Sequence, residues 1–99
     1  MNEIETKLKS ILSEFFRDKY YSQGVKELRN SLNSKSSYSE YWEQIVRSIL
    51  DKKLENPLDL VHKSANQVLD ENSDEEAYKW LNFMLVNSLG SNDTMIIEY

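Results

Sequence analysis

Residues 56–85, NPLDLVHKSANQVLDENSDEEAYKWLNFML, decide the fold because they contain two helix starts, each followed by an apolar stripe. At the first start, Asn56 can cap free backbone amides, and Pro57 fits the first helical position without losing a needed donor. The apolar residues that follow on one helix face are Leu58, Val61, Ala65, Val68 and Leu69. This pattern predicts helix 4, which we expect to end at the polar residues 70–73.

The second start lies at Ser73, which has the spacing of a capping box with Glu76. The apolar residues after it are Ala77, Trp80, Leu81, Met84 and Leu85. They predict helix 5, which we expect to end near Gly90, because glycine is common just after a helix. Residues 91–99 contain a short β-prone apolar run, and we expect them to dock on the bundle as an extended tail.

Three further helices are predicted upstream of this stretch. Helix 1 is predicted over residues 3–17 by apolar residues at steps of three and four. The apolar face of a shorter helix 2 consists of Val25, Leu28 and Leu32. The Ser-rich run at residues 31–37 favours a loop. Helix 3 is predicted from Ser37, which has capping-box spacing with Glu40, to about Lys53, and its broad apolar face favours a central position.

Length and composition indicate a single all-α domain over residues 1–99, with about five helices. The chain is 39% hydrophobic, has two glycines and one proline, and is long enough for one hydrophobic core. It contains no cysteine, so disulfides and thiolate metal sites are unavailable, which suits a reducing compartment. No segment approaches the roughly 20 apolar residues that span a bilayer, and the amino-terminal residues lack a signal-peptide pattern. We therefore expect a cytoplasmic protein that does not enter the membrane.

Charge is divided unequally between the two halves of the sequence. Residues 1–53 contain ten Lys/Arg and eight Asp/Glu, a net charge of +2, whereas residues 54–99 contain two and nine, a net charge of −7. An acidic half repels a phosphate backbone and attracts cationic proteins. Direct binding of nucleic acid is therefore disfavoured, and binding of a basic protein is favoured.

No group of residues in the sequence has the pattern of a catalytic or metal site. His62 is the only histidine, and Asp59 three residues earlier has a spacing that equally suits a solvated pair on a helix. The acidic residues lack the glycine-centred loop of a calcium site. With two glycines, the chain cannot form a phosphate-binding loop or a dinucleotide fingerprint. We therefore expect neither an enzyme nor a bound metal or cofactor.

The acidic run at residues 70–76, DENSDEE, is the most informative polar feature. Its carboxylates after the Ser73 cap lie where the helix macrodipole favours negative charge. Asp70 and Glu71 are expected at the carboxyl end of helix 4, where the dipole disfavours each by up to about 1 kcal/mol. This cost favours a role in binding a cationic partner, with a solvated helix junction as the alternative. The candidate partner-binding residues are Asp70, Glu71, Asp74, Glu75, Glu76 and Tyr78, the last for apolar contact, with Tyr38 as another candidate aromatic.

Residues 56–85, together with the upstream pair Tyr41 and Trp42, resemble small immunity proteins of bacterial contact-dependent growth inhibition systems. The resemblance implies a short cytoplasmic helical protein that binds the toxic carboxyl-terminal domain delivered by a neighbouring cell, often a nuclease, and blocks its active site. The acidic half agrees with this, because nuclease active sites are built to hold phosphate. The expected partner is a cationic toxin domain, and the expected free state is a monomer.

Other interpretations remain open. The second interpretation is an antitoxin-like or regulatory adaptor without catalytic activity, and a third is an obligate oligomer that uses the apolar stripes for self-assembly. DNA binding by helices 2 and 3 is disfavoured because their connection is long and Ser-rich. The basic residues of that region, which do not cluster at one edge, are Lys26, Arg29, Lys35 and Arg47. The alternative interaction surface is the side of helices 1 and 2 that carries Asp18 and Glu27.

Overall fold

A computed structural model describes residues 3–34, 37–90 and 93–97, with the backbone alone at residues 37–40. The described residues are helical with connecting turns and contain no strand. The helices are α1 (Glu3–Phe15), α2 (Tyr21–Asn33), α3 (Ser37–Leu50), α4 (Pro57–Asp59), which continues as a π-helical turn (Leu60–Ser64), and α5 (Asp74–Ser88). The prediction of an all-α fold with five helices is confirmed. None of the described helices is long and apolar enough to cross a membrane.

The core lies where the apolar stripes of the helices meet around α5. This helix is buried on most of its circumference and contributes Ala77, Tyr78, Trp80, Leu81, Met84, Leu85, Asn87 and Ser88 to the interior. The Trp80 ring packs edge-on against Phe16 and Tyr21, with ring centroids 5.4 and 5.9 Å away. α3 contributes the fully buried Ile45 and Ile49 to the same core, and its half-buried Tyr41 and Trp42 pack against it.

α1 and α2 approach closely where they cross at Gly24. A Cβ atom added at this glycine would meet the Phe15 carbonyl oxygen and lie 2.7 and 2.9 Å from two atoms of the Phe16 ring. Gly24 lies inside the helix, where its high backbone entropy weakens the first turn. The absence of a side chain at Gly24 therefore permits the close approach of the two helices.

α4 begins at Pro57, as the Asn-Pro pair predicts, but its start is capped from a distant helix. The Asn56 side chain makes no capping hydrogen bond. Instead, the carboxylate of Glu5, which is fully buried on α1, accepts hydrogen bonds from the backbone amides of Glu55 at 3.0 Å and Asn56 at 2.9 Å. A buried carboxylate that accepts two amides satisfies donors left free before a helix.

The helical segment that follows Pro57 ends at Ser64, several residues before the predicted end. Asn66 adopts the left-handed conformation at φ 53°, which asparagine tolerates better than most residues, and the Gln67 amide donates to the Val61 carbonyl at 3.0 Å. The prediction that Val68 continues the apolar stripe is wrong, since its side chain is 92% exposed. Leu69 still enters the core, but from a non-helical connection.

The described part of the tail, residues 93–97, docks on α2 and α5 without forming a helix, as predicted. The Asn87 side chain accepts from the Ile97 amide at 2.8 Å and donates to the Ile97 carbonyl at 2.6 Å. Arg29, which is buried, donates to the Thr94 carbonyl at 3.1 Å and to the Asn87 carbonyl at 2.7 Å. Ile96 packs against the core. Two polar side chains from the helices therefore fix the tail.

Candidate protein-binding surface

Four of the five acidic residues of the candidate site are exposed around the amino end of α5. Asp70 and Glu71 lie in the connection that precedes α5, and Asp74 and Glu75 lie in its first turn. All four side chains are exposed, and we call them the acidic strip. Within the described residues, none of the four forms a salt bridge. Their negative charge is therefore available to a partner.

The position of Asp70 and Glu71 corrects the dipole argument made from the sequence. Because the preceding helical segment ends at Ser64, neither carboxylate lies at the carboxyl end of a helix. The expected macrodipole cost at these two positions therefore does not arise, and it provides no argument for a partner. What supports binding is the exposure of the four carboxylates, none of which forms a salt bridge among the described residues.

Ser73 and Glu76 have a structural role at the start of α5. The Ser73 hydroxyl accepts a hydrogen bond from the Glu76 amide at 3.2 Å, which confirms the predicted cap. The Glu76 side chain is half-buried, unlike the acidic strip. The corresponding Ser37 and Glu40 capping box, and the aromatic candidate Tyr38, lie outside the described side chains.

Tyr78 is a core residue and does not belong to the exposed surface. Its side chain is 7% exposed, and its hydroxyl accepts from the Leu54 amide at 3.0 Å and donates to the Leu54 carbonyl at 3.4 Å. Burial raises the pKa of the Tyr78 hydroxyl, the hydrogen bond with Leu54 lowers it, and the negative charges of Asp74 and Glu5 raise it further. Tyr78 therefore anchors the loop before α4, and we exclude it from the candidate surface.

Replacing Tyr78 with phenylalanine is expected to lower the free energy of unfolding by about 1–3 kcal/mol, because the buried Leu54 amide loses its acceptor. In the wild type, the unfolded tyrosine ionises near pH 10.0 while the folded one stays protonated to higher pH. Its contribution to stability is therefore present below pH 10 and is lost as pH rises through the folded pKa. Urea unfolding should show a shallower loss of stability above pH 10 for the variant.

The matched control is Tyr20→Phe, because Tyr20 is an exposed tyrosine on the same chain. This variant should have the wild-type free energy of unfolding at neutral pH. Above pH 10 it should lose stability as steeply as the wild type does. If Tyr78→Phe and Tyr20→Phe show the same dependence on pH, burial of the Tyr78 hydroxyl does not contribute to alkaline unfolding.

The alternative surface on α1 and α2 offers less free negative charge. Glu27 forms a salt bridge with Lys19 at 2.9 Å, which neutralises the Glu27 carboxylate. Of the two acidic residues predicted for this surface, Asp18 is the exposed one. Arg29 of α2 is buried in contact with the tail and is not available to nucleic acid.

The candidate pair Asp59 and His62 lies in α4 and in the π-helical turn that follows it. The His62 side chain is half-buried, and the Asp59 carboxylate lies 3.9 Å from the Lys63 ammonium. In the described part of the chain, no three histidine or acidic side chains are placed to hold a metal ion.

Residues that sequence analysis missed lie at the other end of α5. Asn82, Phe83 and Val86 of the helix and Ile97 of the tail line a shallow surface groove, which we call the apolar groove. Two exposed apolar residues, Leu89 and Met95, lie close to it along the chain. The only sequence feature that could have indicated this groove was the β-prone apolar run in the tail. No protein-family model matches the chain, and comparisons with curated proteins and with solved structures also found no match.

Proposed function

We propose that this protein is an immunity protein that binds a cationic toxin domain, most simply a nuclease domain of a contact-dependent growth inhibition system, and blocks its active site. The observation that carries the proposal is the acidic strip, in which four neighbouring carboxylates are exposed without a salt bridge among the described residues. A nuclease holds phosphate with cationic groups, and carboxylates of an inhibitor bind the same groups.

The charge of the whole second half supports the same partner. Residues 54–99 carry a net charge of −7, and the acidic strip provides four of these charges within six residues. A field of this sign accelerates encounters with a basic protein and repels nucleic acid. An inhibitor of this kind acts by binding alone, in the cytoplasm of the cell that it protects.

The direct experiment is co-expression with the carboxyl-terminal domain of the polypeptide encoded immediately upstream of the gene. Under the proposal, the two proteins co-purify as a complex and the cells survive production of the domain. Absence of both binding and protection would reject the immunity function for that pair. Binding without any effect on toxicity would favour a regulatory adaptor.

Charge reversal of the acidic strip should weaken binding mainly through association. The variant Asp70→Lys, Glu71→Lys and Glu75→Lys is expected to reduce the association rate roughly 10- to 100-fold at low salt, because steering by opposite charge is lost. Stopped-flow or surface-based kinetics across a salt series measure this effect. The wild-type rate should fall steeply with salt, and the variant rate should be nearly independent of it.

The matched control reverses three exposed carboxylates outside the strip, at Glu3, Glu14 and Asp51. It changes the net charge by the same amount, so a smaller effect in this variant assigns the steering to the acidic strip. Equal losses in both variants would show that net charge alone is responsible. An unchanged rate in the strip variant would move the interface to the side of Asp18 and Glu27.

Measurement of size in solution separates the proposal from obligate self-assembly. A monomer over a range of concentrations agrees with a protein that completes its surface with a different partner. A dimer that persists on dilution would make self-assembly part of the function.

A further inference from the structure

The apolar groove is an exposed apolar depression on the surface of α5 and the tail. Its walls are the Phe83 and Val86 side chains on α5 and Ile97 on the tail, with Asn82 at the edge. Val86 is 57% exposed and Ile97 is 51% exposed, although both are large apolar side chains. Clustered exposed apolar residues mark interaction sites more often than single ones do.

The groove is held in shape by buried polar contacts. Asn87, the neighbour of Val86 in sequence, is buried and binds both the amide and the carbonyl of Ile97. Its amide nitrogen also donates to the Tyr21 hydroxyl at 2.6 Å. One wall of the groove is therefore tied to the helix that forms the other wall. A preformed site of this kind binds without first ordering the tail.

The apolar groove and Glu75 of the acidic strip lie on one face of α5, and the other three carboxylates of the strip lie at or just before the amino end of the helix. Glu75 and Val86 are eleven residues apart, which corresponds to roughly 16 Å along the helix and an angular offset of about 20°. Asn82 lies between them on the same face. Lys79 lies on the same face between Glu75 and the groove, and the four carboxylates at and before the amino end of α5 outnumber it. The exposed face of α5 is thus acidic at its amino end and apolar at its carboxyl end.

The negative charge near the groove indicates which kind of partner can bind there. Two copies of the chain that met at the groove would bring together two halves of net charge −7, which repel each other. An anionic membrane surface is repelled for the same reason. A basic protein segment is attracted, and an apolar side chain on that segment fits the groove. Charge complementarity therefore favours a cationic protein over a second copy or a membrane.

We propose that the apolar groove binds an apolar side chain of a basic protein segment, whose cationic groups lie against the acidic strip. This inference rests on the proposed function, because it takes a cationic protein as the partner. It adds that the tightest contact with that partner is made at the apolar groove. The groove supplies the dry contact that resists dissociation, and the strip supplies steering. The two parts have separable effects on binding kinetics.

The first test replaces two side chains of the groove, in the variant Val86→Ser and Ile97→Ser. The tail contacts at Ile97 use its backbone, so docking of the tail does not require the side chain. We expect the complex with the upstream-encoded domain to weaken by at least about tenfold, through faster dissociation and with an unchanged association rate. The control variant is Leu50→Ser and Val68→Ser, which removes two exposed apolar side chains outside the groove and should bind normally.

Failure of the groove assignment and failure of the immunity function give different experimental results. If the domain binds both the wild type and the groove variant with the same affinity, the groove assignment is overturned and the immunity function stands. If the domain does not bind the wild type, the immunity function fails for that pair, and a synthetic probe then decides the groove. That probe is an amphipathic leucine and lysine peptide about as long as α5, compared with a version in which serine replaces leucine.

With the peptide probe, amide chemical shifts should change around Val86 and Ile97, and the groove variant should bind at least about tenfold more weakly. The serine version should bind weakly and only at low salt. Equal affinity of wild type and groove variant for the leucine peptide would overturn the inference. Sedimentation that reveals a wild-type dimer, lost in the groove variant, would overturn it in favour of a second copy as the occupant.

Discussion

Replacing Gly24 with valine is expected to lower the free energy of unfolding by about 3 kcal/mol, because the new side chain meets atoms that cannot move away. The nearest is the Phe15 carbonyl oxygen, which belongs to the backbone of α1. The Phe16 ring, which is fully buried against Trp80, limits movement on the other side. α1 and α2 would have to separate, and urea unfolding followed by circular dichroism measures the loss.

The control for this change is Gln23→Val, at the exposed neighbouring position of α2. It introduces the same β-branched side chain into the same helix turn, so it reports the helix propensity alone, which is worth less than about 1 kcal/mol. A Gly24→Val variant as stable as Gln23→Val would mean that the two helices have room for a side chain at their crossing.

Replacing Glu5 with alanine is expected to destabilise the protein by a similar amount, about 3 kcal/mol, through a different mechanism. The carboxylate accepts two amides in the loop before α4, and its removal leaves both without that acceptor in a part-buried environment. The loop and α4 should lose protection first. Denaturant unfolding gives the size of the effect, and hydrogen exchange at Glu55 and Asn56 gives its location.

Two further variants test whether the destabilisation comes from the lost hydrogen bonds of Glu5 or from the lost negative charge. Glu5→Gln keeps one acceptor oxygen and nearly the same volume, so it should retain part of the stability. Glu3→Ala removes an exposed carboxylate from the same helix and should have little effect. If Glu5→Ala were no more destabilising than Glu3→Ala, the hydrogen bonds to the loop would contribute nothing to stability.

The helices were predictable where apolar periodicity and a local start signal agreed. The Ser73 cap and the stripe after it predicted α5, and the Asn-Pro pair predicted the start of α4. The end of the helical segment at Ser64 was not predictable in this way, because the apolar spacing continues through Leu69. It is the left-handed Asn66 that ends the helix, and asparagine is also common inside helices, so its position gave no clear signal.

The acidic strip could be predicted from the sequence, whereas the apolar groove could not. Exposure of the strip follows from a run of adjacent charges, which rarely become buried. The groove depends on the tail, which Arg29 and Asn87 hold in place. Arg29 binds Thr94, 65 residues away in sequence, and Asn87 binds Ile97, 10 residues away, so neither contact lies within one helix turn. Burial of Tyr78 likewise depends on Leu54, from a loop that helical periodicity does not place. Contacts of this kind are set by tertiary packing, which no local pattern encodes.

The hydrogen bond between Asn87 and Tyr21 links the tail to the optical properties of the protein. Tyr21 packs edge-on against the buried Trp80, and its hydroxyl accepts from the same amide nitrogen that donates to Ile97. A buried indole held among oriented rings gives a near-ultraviolet circular dichroism signal that depends on their mutual geometry. The aromatic cluster thus makes Trp80 a built-in spectroscopic reporter of whether the wall of the groove is in place, without any attached dye.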